Sequence, residues 1–354
     1  MIRVIMHREA RKKNQRVVAV FLSILIVINS AFKYKVNMLI LLCKHIFTSY
    51  LVWVHLQSMI SITPQELSTP KLHGYLLGAI SPRPIAFAST VDADGNVNLS
   101  PFSFFNVFSA NPPILIFSPA RRVKGNTTKH SLENVLNTKE VVINIVSYDM
   151  VQQMSLSSTE YPEGVNEFVK AGFTEVASDL VKPPRVAESP VQFECKVNKV
   201  IALGTEGGAG NLIIAEVVKL HIDERILDAE GKIDPIKIDT VARMGGNWYS
   251  RAKEGIFKVE KPIRTMGIGV DALPESIRNS KILTGNDLGI LGNVEKIPSE
   301  EEVREFVKMG IEKCPHINIA NKENTQKQAQ EMLQKGIVFD AFRLLLAIDL
   351  MKIK

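Results

Sequence analysis

Two long β-favouring runs, Val191 to Leu203 and Leu212 to Ile222, are joined by Gly204-Thr205-Glu206-Gly207-Gly208-Ala209-Gly210-Asn211, and this pairing constrains the fold more than any other feature. A glycine cluster after a strand invites a phosphate-loop reading. Both the P-loop and the dinucleotide fingerprint, however, lead from a strand into a helix whose N-terminus meets the phosphate. Here the glycines lead into Leu212-Ile213-Ile214-Ala215-Glu216-Val217-Val218, which is a second strand. The segment therefore reads as a flexible hairpin connection, and no Rossmann fingerprint occurs in the sequence.

The rest of the central region repeats this logic with shorter strands. Ile85 to Val91 is a β-favouring run, Asp92-Ala93-Asp94-Gly95-Asn96 supplies a hairpin turn, and Val97 to Ser100 returns. Ile114 to Ser118 follows the turn Asn111-Pro112-Pro113, and Glu140 to Val146 is entered from a helix-like stretch over 129–138. Short strands, hairpin turns and brief helices argue for an antiparallel barrel rather than a parallel βαβ sheet. Pro101 cannot donate to a ladder, so regular pairing is expected to break there and free backbone amides.

A chain of 354 residues exceeds what one small core needs, so a main domain with additions is expected. We divide it into a basic and apolar segment 1–58, a barrel domain 59–262 and a helical extension 263–354. The net charge of +6 invites a nucleic-acid reading, but nine basic residues and one acid lie in the first 58, leaving the remainder at −2. A basic surface for nucleic acid thus has no support in the body of the protein. Cys43, Cys195 and Cys314 are far apart with no CxxC pair, which speaks against a disulfide framework or a structural zinc site, and no metal ligands are assigned. In the first segment a basic stretch ending at Arg16 precedes the uncharged apolar run Val17 to Phe32. That order resembles a signal anchor, and the alternative is a true start at Met59. Any membrane contact is expected only through residues 1–58; the barrel is expected to be cytoplasmic, free or anchored by that segment.

A series of motifs then carries a family resemblance. Ser81-Pro82-Arg83-Pro84-Ile85-Ala86-Phe87-Ala88-Ser89-Thr90 is followed by Asp94-Gly95, by Asn98-Leu99-Ser100-Pro101-Phe102-Ser103-Phe104-Phe105, and by Asn111-Pro112-Pro113. Lys129-His130-Ser131-Leu132-Glu133-Asn134 resembles a Lys-Asp-Thr-x-x-Asn motif, with His130 for Asp and Ser131 for Thr, and Ala242-Arg243-Met244-Gly245-Gly246 with Tyr249 comes last. In this order and spacing, about 200 residues resemble the flavin reductase-like, FMN-binding split-barrel family, in its flavin reductase and flavoredoxin group. The resemblance implies a mainly β fold: an antiparallel, Greek-key-like split barrel with short helices. It also implies FMN as cofactor, NADH or NADPH as hydride donor, and a homodimer.

FMN presents a dianionic phosphate, a polar ribityl chain and a ring with one polar and one apolar edge. By resemblance, Arg83, Ser89, Thr90, Ser100, Phe102 and Ser103 line the flavin, and Lys129 and Ser131 meet its phosphate. The segment from Arg121 to Ser131 is rich in basic and hydroxyl residues and precedes a helix, for which Ser131 is the expected N-cap and Glu133 falls in the first turn. Arg121, Arg122 and Lys124 read individually as solvated surface charge. Hydride transfer to the flavin needs no protein acid, base or nucleophile, so no catalytic residue is named; His130 and His221 read as structural. The resemblance implies an NAD(P)H-dependent flavin oxidoreductase. A flavoredoxin-like electron carrier and a membrane-tethered barrel without ligand are the alternatives. After Pro262 the pattern turns helical, with a clear helix from Pro298 to Val307 capped by Ser299, and no motif for a separate activity.

Overall fold

The computed structural model describes residues 59–162, 164–262, 265–313 and 321–350. Segment 1–58, with the anchor and alternative-start readings placed on it, lies outside them. Among the described residues no helix is long and apolar enough to cross a membrane. The chain divides into two compact units between Gly255 and Ile256, a little before the boundary expected at 262.

The first unit is built on β1 (Ala86–Val91), β2 (Val97–Phe102), β3 (Phe105–Ala110), β4 (Pro113–Phe117), β5 (Glu140–Ile145), the two-residue pair β6 (Glu175–Val176) and β7 (Arg185–Val186), and the long ribbon β8 (Val191–Ala202) and β9 (Asn211–Ile222). Seven of these form one antiparallel sheet in the order β2-β1-β5-β8-β9-β4-β3. The ribbon explains the shape. β5 pairs with β8 over Gln192–Lys196, whereas β4 pairs with β9 over Ile213–Glu216, opposite the other half of β8. Irregularities at Glu194/Cys195 and Val197/Lys199 interrupt the ladder, and such bulges bend and twist a strand. The sheet therefore curls, and its ends, β2 and β3, are consecutive in sequence yet not paired with each other. This is the split barrel that the resemblance implies.

Pro101 corrects one expectation. It stays inside β2, opposite Phe87, rather than ending the pairing. β2 is an edge strand with a partner on one side only, and an edge is where a missing N–H is tolerated.

The barrel interior is closed by helix α2 (His130–Thr138), whose Leu132 and Val135 join Ala86, Ala88, Phe102, Phe117, Ile143 and Ile213 in one buried cluster. The rings of Phe102 and Phe117 meet there at 5.4 Å. The opposite face of β1 and β2 is covered by α3 (Val151–Leu156) and α4 (Glu167–Ala171), through Phe87, Leu99, Met154 and Phe168. Strand β1 is thus buried on both faces, and each large apolar side chain sunk there contributes about 1.5–3 kcal/mol. Preceding the sheet is helix α1 (Thr69–Ala79), and after it comes a small hairpin of β10 (Val241–Arg243) and β11 (Tyr249–Arg251).

The second unit is helical: α5 (Glu275–Arg278), α6 (Gly285–Gly292), α7 (Glu300–Lys313), α8 (Lys322–Gln334) and α9 (Val338–Leu350). Ser299 and Glu302 cap α7 reciprocally, with Ser299 N donating to Glu302 Oε2 at 2.7 Å and Glu302 N to Ser299 Oγ at 3.2 Å. Leu291, Leu333, Phe342 and Leu345 centre a core of its own.

Candidate functional site

Strand alternation sorts the residues singled out in the sequence. Ala86, Ala88 and Thr90 share one face of β1; Phe87, Ser89 and Val91 share the other. Thr90 sits opposite Asn98 on β2, and both meet α2: Asn134 Nδ2 donates to Thr90 Oγ1 at 3.1 Å and Asn98 Nδ2 donates to Ser131 Oγ at 2.8 Å. This buried polar seam fixes the first turns of α2 against β1 and β2. Ser100 and Phe102 continue the Asn98 face along β2. Ser89 lies on the opposite face, fully buried, and its hydroxyl has no hydrogen-bond partner among the described residues.

Arg83 and Ser103 meet at the other end of β2. The Arg83 guanidinium donates to the carbonyls of Leu77 (2.6 Å), Ile80 and Met244 (2.9 Å), and its Nε reaches Ser103 Oγ at 3.4 Å. Burial and the nearby Arg243 pull its pKa below the ordinary arginine value. Arg83 thereby ties the C-terminal turn of α1 to the loop after β10, where carbonyls at a helix end favour a cation. Apart from Ser103, the contacts described for Arg83 are with backbone carbonyls, one step back from the β2 face.

The basic segment takes a definite shape. Helix α2 begins at His130 with Lys129, not Ser131, as N-cap. Ser131 is drawn inside by Asn98, and Lys129 carries no acceptor, so the helix starts without a side-chain cap. The positive dipole end of the helix therefore lies beside an ammonium group. Arg122 is held by the Thr127 hydroxyl (3.1 Å) and the Thr128 carbonyl, and Arg121 turns back on Asn126. Arg122 Nε (3.0 Å) and Lys129 Nζ (3.6 Å) converge on a single carboxylate oxygen, Glu160 Oε1.

The glycine-rich connection is a hairpin loop, as its sequence context requires, and it props this segment from behind. Arg121 N donates to Ala209 O at 2.8 Å and Gly208 N to Arg121 O at 3.0 Å. A Cβ on Gly207 would lie 2.9 Å from the Val123 carbonyl oxygen, so only glycine permits the approach.

Two other titratable groups are accounted for by packing. Cys195 is buried in the barrel, and burial pushes its thiol well above the ordinary range, which disfavours the reactive thiolate. His221 Nε2 lies 2.7 Å from Glu194 Oε1, and Glu194 also accepts from the amides of Asp179 (2.9 Å) and Leu180 (2.6 Å). Asp179, Glu194 and His221 place their ligand atoms within 4.8 Å of one another, yet each is engaged in pinning the 179–180 turn to the ribbon, with Lys219 on Asp179.

Sequence reasoning missed Asn98, Asn134 and Glu160 as parts of this region and underrated Arg122. Asn98 and Asn134 stand inside the quoted motifs, and the parity of Asn98 with Ser100 and Phe102 was the signal that could have found it. Nothing local marks Glu160, which arrives from 38 residues beyond Arg122.

Comparison with known proteins bears on the same region. A family model for the flavin reductase like domain matches residues 78–237. An uncharacterized protein of Aquifex aeolicus (strain VF5) is 38% identical over 188 residues, covering 53% of this chain and 93% of that protein. Among solved structures, nitrilotriacetate monooxygenase component B from Bacillus cereus is similar at 28% identity and a TM-score of 0.53, over 57% of this chain and 98% of its own. The 2-nitrobenzoate 2-nitroreductase NbaA of Pseudomonas fluorescens shares the fold, at 22% identity and a TM-score of 0.51, over 58% of this chain and 98% of its own. On the matched domain, the near-complete coverage of these relatives and the split barrel itself, the chain belongs to the flavin reductase-like family.

Proposed function

We propose that the first unit binds FMN and that the protein is an oxidoreductase drawing hydride from NADH or NADPH. The observation that supports this most directly is the anion cradle at the start of α2. An uncapped helix N-terminus, flanked by a guanidinium and an ammonium that already share one carboxylate oxygen, suits a phosphate monoester. Lys129 and Arg122 would hold that group, with the Thr127 hydroxyl beside them.

The remaining residues have distinct tasks. Thr90, Asn98, Ser131 and Asn134 keep the cradle on rigid elements, so its position does not depend on a loop. Ser100 on β2 and Ser103 just past it would flank the ring, with Arg83 steadying Ser103 from behind, while Phe102, which the resemblance put on the flavin, packs into the barrel core against Phe117. Ser89, fully buried on the other face of β1, stands apart from these residues. Bound FMN supplies the hydride-accepting ring. The chain's part is to hold and orient it and to keep water away, which calls for no protein acid or base.

The test is an absorbance spectrum of the full-length protein before and after anaerobic NADH and NADPH. A yellow protein that bleaches is expected. A bound flavin reduced only by an added redox protein would make this an electron carrier. A colourless protein that takes up no added FMN would sink the reading. Lys129→Ala is expected to weaken FMN binding by about 1.5–3 kcal/mol and leave riboflavin binding unchanged. Equal loss for both flavins would remove Lys129 from the phosphate.

We also infer a homodimer. Helix α1 buries none of its residues, leaving Tyr75, Leu76 and the adjoining Ile80 exposed. Exposed Trp248 follows the turn where Gly245 approaches Gly78, so these apolar groups are neighbours. Sedimentation at micromolar concentration should give twice the chain mass; a monomer would refute it.

A further inference from the structure

Glu160 makes the anion cradle self-occupied. One of its carboxylate oxygens stands between Arg122 Nε and Lys129 Nζ, at 3.0 and 3.6 Å, where an anionic ligand oxygen would have to sit. The Glu160 side chain is nevertheless largely exposed, and among the described residues it is held only by the Arg122 hydrogen bond and the Lys129 ion pair. It reaches the cradle from the turn after α3, held by Thr159 N donating to Leu156 O at 3.1 Å and Tyr161 N to Thr159 O at 2.9 Å. The cradle's guanidinium, and the backbone that carries its ammonium, are fixed independently of it. Arg122 is held by Thr127 and Thr128, and Lys129 is set by the start of α2. The carboxylate can therefore leave without dismantling what it covers. Its two cations hold it below the ordinary carboxylate pKa, the Arg122 hydrogen bond first and the Lys129 charge next, so it stays ionised near neutrality.

We propose that Glu160 is a specificity-determining residue: an internal anion that the ligand's phosphate must displace, so that the cradle selects by charge. This rests on the FMN reading above and sharpens it. An incoming group gains only the difference between its own attraction to Arg122 and Lys129 and that of the carboxylate it replaces. A terminal phosphate monoester, with nearly two charges and three acceptor oxygens, wins that exchange. A singly charged phosphodiester or a small monoanion gains little, and an uncharged flavin has nothing to exchange. Glu160 thus lowers absolute affinity for every anion and leaves only the dianion a clear gain.

The test is fluorescence titration of the full-length protein with FMN and with riboflavin, for wild type, Glu160→Gln, Arg122→Ala and Lys129→Ala. Glu160→Gln is expected to tighten FMN about two- to fivefold, the range for partly exposed ion pairs, and to leave riboflavin unchanged. Arg122→Ala and Lys129→Ala are expected to erode the preference for FMN over riboflavin. Unchanged or weaker FMN binding in Glu160→Gln, with the preference lost in the cation variants, would overturn the displacement role alone, weaker binding meaning that Glu160 merely orders the cations. A preference that survives in both cation variants would overturn the phosphate site and the displacement role together. Glu160 is exposed, so its variant should fold; equal melting temperatures would verify this.

Discussion

Arg83→Ala should destabilise the first unit by about 3–5 kcal/mol, the largest effect expected of any single polar substitution in it. The guanidinium is buried, and it satisfies the carbonyls of Leu77, Ile80 and Met244 at once. Alanine would leave those acceptors without their charged donor and release the C-terminal turn of α1 from the loop after β10. Arg83→Lys should recover only part of the loss, because a single ammonium cannot reproduce a planar fork over three acceptors. Urea denaturation measures the stability, and FMN titration of the folded fraction separates the roles. A variant of near-normal stability that no longer binds FMN would show the guanidinium acting on the flavin itself, the role that the family resemblance implies.

Asp239→Asn is the second. Asp239 accepts from Arg251 Nε at 2.9 Å and Nη2 at 2.6 Å and from Lys253 Nζ at 2.7 Å, while Arg251 lies 3.6 Å over the Tyr148 ring. The Arg251 hydrogen bonds, outweighing the partial burial, bring its carboxyl down to about 2. Because the folded-state value lies below the unfolded one, the stabilisation is complete above the unfolded pKa. It is lost as pH falls through about 2. After allowance for solvent screening it amounts to about 1–2 kcal/mol at neutral pH. Asparagine is the informative replacement, since Asp239 has φ +46° and asparagine tolerates that region, so backbone strain does not enter the comparison. The variant should be less stable at pH 7, and the two stability curves should converge between pH 4 and 2. Coincident curves would mean that the pair contributes nothing to the fold, and parallel, separated ones that its contribution does not come from the Asp239 charge.

How much of this was legible in the sequence depended on how local the signal was. The hairpins announced themselves through turn residues between β-favouring runs, and strands at 86–91, 97–102, 140–145 and 211–222 fall where the pattern places them. Helix α7 was marked by Ser299 and its acids. By contrast, β3 went unread because its residues are mostly exposed, and no buried face imposes an alternation on them. Helix α1 went unread because none of its side chains is buried, so no amphipathic stripe exists. Ser131 as helix cap was a reasonable expectation from residue type. It failed because a tertiary partner, Asn98, draws the hydroxyl inward and leaves the cap position to Lys129.

The sequence by itself determined the antiparallel class, the hairpin nature of the glycine connection, the basic segment before α2 and the switch to helices near the second unit. Each is written in neighbouring residues and follows from backbone geometry and turn chemistry. Only the tertiary structure decided which face Ser89 and Thr90 present, that Arg83 serves backbone carbonyls, and that Glu160 stands between Arg122 and Lys129. Those outcomes depend on groups distant in sequence meeting across the curled sheet, and a buried guanidinium or an unpaired cation takes whichever acceptor the fold brings within reach.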